Sequence, residues 1–501
     1  MSTAFPRTAP SPHGTTSEAA AALAERNATL TGDALPRVNF VAFAALAAYF
    51  VLALIRFQEY TWIDFDLPVI PAVELLMLAA WLMSPKPPGL QQTLPVVLLG
   101  IVYFVSSAGV SAEYALEVTR NYILNIALVY IVVAQVATDA RRSDALMGVF
   151  CLCMAVISVQ CILMDLNPEH YGWTGMQAWE RMDAYPRFWQ VRYVGTLGDP
   201  NDLGMTLIAS VPMAMFLMLH SRSALAKLVY LACLCLCLYT VYILNSRGTV
   251  LGLLAIIAAW GALRFGISRA IVAGIVLLPL FLLLGPSRLN ESGLDRSALD
   301  RIDSWYNGMK MFAAEPFFGV GKDQYLAHHF KVSHNSWIEI VAELGLIGYL
   351  LWNRVVLGAL LDAYQMVRGN QLVVSRGRAD DALQQRARNS ALQAKQRGLA
   401  KAPSVPKDTS AQRLMAALPR AEINRAKALL LSIFGTLVAI FFIDRSDSLI
   451  TFFVCGLIAG TLTRYQHTRR DIDWWPVSFW VYLGAFVALV VVYVSIQVFV
   501  L

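Results

Sequence analysis

Charge is scarce in this chain. Only 15% of its 501 residues are charged, against about 25% in a soluble domain. With 57% hydrophobic residues and a mean hydropathy of +0.55, that scarcity argues against a water-soluble enzyme. Cysteine is sparse too, and Cys151, Cys153, Cys161, Cys233, Cys235, Cys237 and Cys455 all sit inside apolar runs. Residues two apart on a helix point to different faces, so neither a disulfide framework nor a zinc knuckle is expected. The first thirty-odd residues lack the apolar core of a signal peptide, and the first hydrophobic segment is expected to insert as an uncleaved anchor. The short alternation of a lipid-facing β-barrel is missing as well, because runs such as 226–244 are apolar on every face. A pI near 8.9 reflects topology here, and no nucleic-acid partner is expected.

What is present is a series of apolar runs, each near the roughly 20 residues a helix needs to cross a bilayer. They predict helices at 39–57, 67–84, 93–110, 121–137, 145–164, 201–220, 226–244, 248–263, 269–285, 337–361, 427–443, 448–463 and 477–500. The predicted class is an all-α polytopic membrane protein with about 12–13 transmembrane helices. Cytoplasmic connections retain Lys and Arg. An inside N-terminus puts Lys86, Arg141, Arg142, Arg222, Lys227, Arg264, Arg269, Arg464, Arg469 and Arg470 on that side. The chain then divides into an inner tail (1–38), helices 1–9 (39–285) and a large outward loop (286–335). A tenth helix (336–366), a basic inner insertion (367–426) and C-terminal helices (427–501) complete it. The insertion, rich in Gln, Arg and Ala, reads as partly helical or disordered on anionic lipid. The outward loop carries Trp305, Tyr306, Phe312, Phe317, Phe318 and Tyr325, enough apolar surface to be ordered against the membrane.

Polar residues concentrate at the outer helix ends. In Arg192 to Asp202, Pro200 suits a first helical turn and Asp199 can cap it. Arg192 beside that helix start suits an anionic phosphate, and Asp199 and Asn201 are read as further substrate-binding candidates, although a helix-start loop explains much of the cluster. Asn245-Ser246-Arg247-Gly248 is a tight outward turn with an arginine on the side that positive charge avoids. Function outweighs headgroup anchoring there. Arg301 opens an amphipathic stretch that runs to Phe312, and Asp300 or Asp303 can simply pair with it. The stretch from Gly319 to Lys322 precedes His334, whose neutral imidazole can accept a proton near neutral pH, and Asn335, which can orient it.

Membrane-depth ionisable groups, which mark substrate or ion paths, reduce to Glu74, Glu339, Glu343 and Arg354; pairing within the bundle or snorkelling explains them equally well. Asp64-Phe65-Asp66 beside Glu59 is a weak signal for a divalent cation. Acidic residues are tolerated on the outer side without one.

Together these groups fit glycosyl transfer from a lipid diphosphate. Guanidinium forks bind the leaving diphosphate as its charge develops, and His334 serves the acceptor hydroxyl. The ordered segments RYVGTLGDPNDL (192–203), NSRGT (245–249), RIDSW (301–305), PFFGVG (316–321) and HNSWIEIVAELGLIG (334–348) resemble the O-antigen ligase and polymerase superfamily of bacterial inner membranes. The resemblance implies a GT-C-type enzyme with its active site on the periplasmic side. Such an enzyme passes an undecaprenyl-diphosphate-linked glycan to a glycan or lipid A-core acceptor in lipopolysaccharide or exopolysaccharide biosynthesis. The transfer is expected to invert the anomeric centre by direct displacement, without a covalent glycosyl-enzyme, metal or cofactor. By position, Arg247, Arg301 and His334 are similar to the family's essential residues, and Arg192, Lys322 and Asn335 are secondary carry-overs. The implied partners are the bilayer and other polysaccharide-assembly membrane proteins. The alternative from another class is a lipid-linked glycan flippase or secondary transporter.

Overall fold

The computed structural model describes residues 35–63, 68–86, 93–181, 188–269, 296–396, 420–468 and 477–500. The Asp64/Asp66 pair and the helix expected at 269–285 fall outside them, apart from residue 269.

Short polar side chains start the helices, because each satisfies amides that have no partner in the first turn. Asn39 accepts from Ala42 N (2.7 Å) ahead of α1 (Phe40–Ile55), which packs on α2 (Val69–Leu82). α3 (Thr93–Ala108) leads into α4 (Ala112–Tyr122), which continues through a π-turn at Ile123–Leu128 into α5 (Val129–Val136). The sequence placed this helix at 121–137. The earlier start arises because Ser111 accepts from Tyr114 N (3.1 Å) and so begins an amphipathic segment ahead of the apolar run. α6 (Ala140–Leu166) follows its Asp139 cap.

Between α6 and α7 (Pro200–His220) lies a two-stranded hairpin, β1 (Trp179–Arg181) and β2 (Phe188–Gln190), paired Trp179 to Gln190. It is the one strand pair among the described residues, and no apolar periodicity announced it. α8 (Ala224–Ile243), α9 (Arg247–Phe265), α10 (Arg296–Ala314) and the single turn α11 (Tyr325–His328) come next. α12 (Ser336–Gln396) extends the expected tenth helix into the first part of the basic insertion. α13 (Arg420–Ile440), α14 (Leu449–Thr468) and α15 (Val477–Val500) close the chain.

Among the described residues nine helices are long and apolar enough to cross a membrane, so the chain is a multi-pass α-helical membrane protein. Its cysteines are free, and all but Cys235 are buried.

The two ends of the bundle differ chemically. At one end Arg425 grips Asp144 with two nitrogens (2.6 and 2.8 Å), and Arg464 donates to Glu422 (2.6 Å) and to Ala137 O (3.0 Å). These bonds tie α6, α13 and α14 together. Arg464 is fully buried and clamps helices, whereas the sequence counted it among the cations of an inner loop. The other end lies one helix length away, about 30 Å along α7 at 1.5 Å per residue. It gathers the starts of α7, α9, α12 and α14 with the ends of α1, α8 and α13.

Candidate active site

The glycine-bearing segment 316–321 docks on α12 by backbone contact. Val320 N donates to Ala342 O (3.0 Å), Gly321 N to Glu343 O (3.1 Å) and Leu346 N to Pro316 O (2.8 Å). To admit this strand-like approach α12 breaks at Gly345, whose backbone takes φ 64°, ψ −165°. A Cβ on Gly345 would lie 2.4 Å from Phe317 C, and one on Gly319 (φ +70°) 2.3 Å from Glu343 C. Only glycine fits a left-handed backbone against another main chain. The glycine pattern is therefore a docking device.

Lys322 completes that dock. Its ammonium is buried and bonds Asp323 (2.7 Å), Glu339 (3.1 Å) and Glu343 (3.0 Å), with Asp447 at 3.9 Å. Burial alone would lower its pKa, but the surrounding carboxylates of Glu343, Asp447 and Glu339 outweigh this and raise it well above the ordinary lysine value. All three donors of an ammonium are thus spent on carboxylates. Lys322, read from the sequence as a substrate-binding cation, sits in an internal cross-link and on the wall of the cavity beside the site. Glu339 and Glu343, read as membrane-depth candidates, are its counter-charges.

α7 and α9 begin side by side. Asp199 caps α7 by accepting from Asn201 N (2.7 Å) and also accepts from Asn201 Nδ2 (2.9 Å). Ser246, the cap of α9, donates to Asn201 Oδ1 (2.7 Å), and Gln190 Nε2 donates to Leu244 O and Asn245 O. These bonds fix the turn so that Arg247 is the first residue of α9, half-buried at the site end. Arg192 donates from Nε to Gln177 O (2.7 Å), which aligns it along the hairpin. Asp199 and Asn201, read as substrate contacts, form the scaffold beneath Arg247.

His334 has a left-handed backbone (φ 48°), unusual for a side-chain-bearing residue and frequent at functional sites. Ser333 Oγ holds it there by donating to Asn335 O (2.9 Å) and accepting from Asn335 N (3.2 Å). Asn335 Oδ1 accepts from Trp337 N (2.9 Å) and Ile338 N (3.2 Å), so Asn335 caps α12 and positions the histidine through the main chain. One turn beyond Arg301, Trp305 Nε1 donates to Ser333 O (2.9 Å) and brings α10 against this corner.

A connection that the sequence analysis passed over is the hub. Residues 441–447, between α13 and α14, meet α10, the start of α9, the His334 corner and α7. Phe441 packs edge-on against Trp305 (5.9 Å), and Phe442 meets Gly248, beside Arg247. Asp444 Oδ1 lies 3.9 Å from His334 Nδ1. Arg445 donates from Nε to Asp202 (2.7 Å), and its amide donates to Ser336 Oγ (2.8 Å). Burial pushes the His334 pKa below its ordinary value; Asp444 opposes the shift and Arg301 adds to it. Burial likewise raises Asp444, against His334 and Arg445. The structure thus places Asp444 and Arg301 within electrostatic reach of His334 and sets the Arg247 turn against the same loop. Arg445 carries the same sequence signal that singled out Arg247, an arginine in a short connection between two apolar runs.

Beside this hub is a cavity of about 490 Å³, within the usual range for ligand sites. Arg56, Asn121, Thr196, Asp202 and Arg445 line its polar part; Tyr49, Leu54 and Met205 line an apolar part.

Residues 231–353 match the O-antigen ligase family model. The match covers four of the five motif segments, from the Arg247 turn through the Gly345 break, and supports the O-antigen ligase and polymerase superfamily for this chain. No curated protein matches.

Proposed function

Starting from a segment that matches the O-antigen ligase family and supports a role in membrane envelope polysaccharide assembly, we propose that this chain transfers a polyprenyl-diphosphate-linked oligosaccharide to a glycan acceptor. The donor is undecaprenyl-diphosphate-linked, the reaction runs at the periplasmic face of the bacterial inner membrane, and the acceptor is a second glycan chain or a lipid A core. The observation that carries this reading is the grouping of the His334 imidazole with Arg301 and Asp444, and with the turn bearing Arg247, at the end of a lipid-embedded bundle.

The acceptor hydroxyl oxygen attacks the anomeric carbon from the face opposite the diphosphate. The carbon–oxygen bond to the diphosphate breaks, its electron pair leaves with the lipid diphosphate, and configuration inverts. His334, held neutral by burial, takes the hydroxyl proton, and Asp444 steadies the imidazolium that forms. Arg247 and Arg301 stabilise the charge that develops on the leaving diphosphate. A donor with a lipid tail explains a site at the membrane boundary.

The test is purified protein given a synthetic polyprenyl-diphosphate oligosaccharide and an acceptor glycan. A new glycosidic bond with inverted configuration and release of lipid diphosphate are expected. A flippase or transporter would yield no such product. In cells lacking the wild-type protein, the His334→Ala variant should accumulate unprocessed lipid-linked repeats on the periplasmic side; accumulation on the cytoplasmic side would support transport.

A further inference from the structure

A second cavity, of about 320 Å³, lies between α7, α9 and α13 at the bundle end remote from His334. From Arg247 to Arg264, α9 rises about 25 Å at 1.5 Å per residue, close to the roughly 30 Å of a hydrocarbon core. The Arg264 end therefore sits at the opposite membrane boundary. Two cations from different helices, Arg264 and Lys427, line this cavity, and among the described residues no carboxylate does. The neighbouring Arg425 and Arg464 differ, being matched by Asp144 and Glu422.

The other polar groups of the wall neutralise one another. Asn424 Nδ2 lies 3.1 Å from His220 Nε2, and His220 Nδ1 lies 2.9 Å from Phe216 O. From this level the cavity continues along apolar walls towards the bilayer centre as far as Pro212. Proline inside a helix has no amide to donate and crowds the preceding turn. Leu219 and Trp260 are exposed along the same walls, and tryptophan is enriched at membrane interfaces.

Two cations at headgroup depth above an apolar channel match one chemical species. We propose that this cavity binds an anionic glycerophospholipid, its phosphate between Arg264 and Lys427 and one acyl chain against Trp260 and Pro212. A basic pocket between transmembrane helices recognises such headgroups by charge, and the guanidinium adds a fork that fits a phosphate. The site is distinct from the reaction centre and does not depend on the proposed activity.

The test uses the full chain in detergent, with native mass spectrometry of lipid adducts. Dioleoyl-phosphatidylglycerol should be retained about tenfold more strongly than dioleoyl-phosphatidylcholine, and the double variant Arg264→Ala/Lys427→Ala should lose about that factor. Arg222→Ala, an exposed arginine at the same end outside the cavity, should change nothing, and inorganic phosphate should not displace the lipid. Equal retention of both lipids, an equal loss in Arg222→Ala, or displacement by phosphate would overturn the proposal. Should the double variant fail to fold, a phosphatidylglycerol with a diazirine in its acyl chain is applied to the wild-type protein. Attachment within 212–219 and 260–264 supports the site. Attachment only elsewhere overturns it, as does none at all.

Discussion

The carboxylate of Asp444 lies 3.9 Å from Nδ1 of His334, joining the corner before α12 to the connection between α13 and α14. That carboxylate raises the histidine's affinity for a proton, while burial and Arg301 lower it. Removing Asp444 takes away the larger of the two raising influences, Asp199 being the other, and leaves burial, Arg301 and Lys331 to lower it. Asp444→Asn should therefore move the acid limb of the pH–activity profile to lower pH while reducing turnover, because the imidazolium loses its counter-charge. His334→Ala should lose about 10²- to 10⁴-fold in turnover, the usual worth of a general base. An unmoved acid limb in Asp444→Asn would separate the two groups functionally.

Arg247→Lys and Arg301→Lys should each lower kcat by about 100-fold or more, the cost of one donor to a developing anion. An ammonium is a point charge and cannot replace the guanidinium fork. Steady-state assays with the synthetic donor check this, and wild-type kcat in Arg247→Lys would remove it from the diphosphate.

Lys322→Met should destabilise the fold by about 3–5 kcal/mol, because Glu339 and Glu343 remain buried without their counter-charge. Thermal unfolding in detergent measures it. Combining it with Glu339→Gln and Glu343→Gln should recover part of the loss. A Lys322→Met protein of normal stability with a raised KM would instead return Lys322 to the substrate.

Gly345→Ala forces a methyl group into the main chain of Phe317 and a side-chain residue into a left-handed backbone. Strain of that kind costs about 1–3 kcal/mol before the clash is counted. Loss of stability and of activity together is expected, and limited proteolysis should show earlier cleavage in 316–321.

Chelation should leave turnover unchanged, since the positive charge at the proposed site is supplied by guanidinium groups. Inhibition by a chelator that magnesium or manganese reverses would shift the weight to Asp64 and Asp66.

The apolar runs by themselves determined that the chain is a membrane-embedded helical bundle, since about 20 apolar residues have no stable alternative in lipid. They also located most helices to within a few residues. Arginine on the outward side was an equally local signal, because its cost is set by topology alone, and it singled out Arg247 before any fold was known. Local chemistry likewise foretold the Asp199 cap, and the amphipathic stretch that runs from Arg301 to Phe312 lies within the helix Arg296–Ala314. What the tertiary structure decided was which polar groups are taken up by bonds within the fold. Lys322, Asn335, Asp199 and Asn201 look like site residues along the chain. Three-dimensional packing spends them on carboxylates, helix amides and one another, since a buried polar group must find a partner wherever the fold supplies one. The approach of Asp444 to His334 exists only in space. It depends on α13 ending beside α12, a meeting of distant segments that no local pattern of residues encodes.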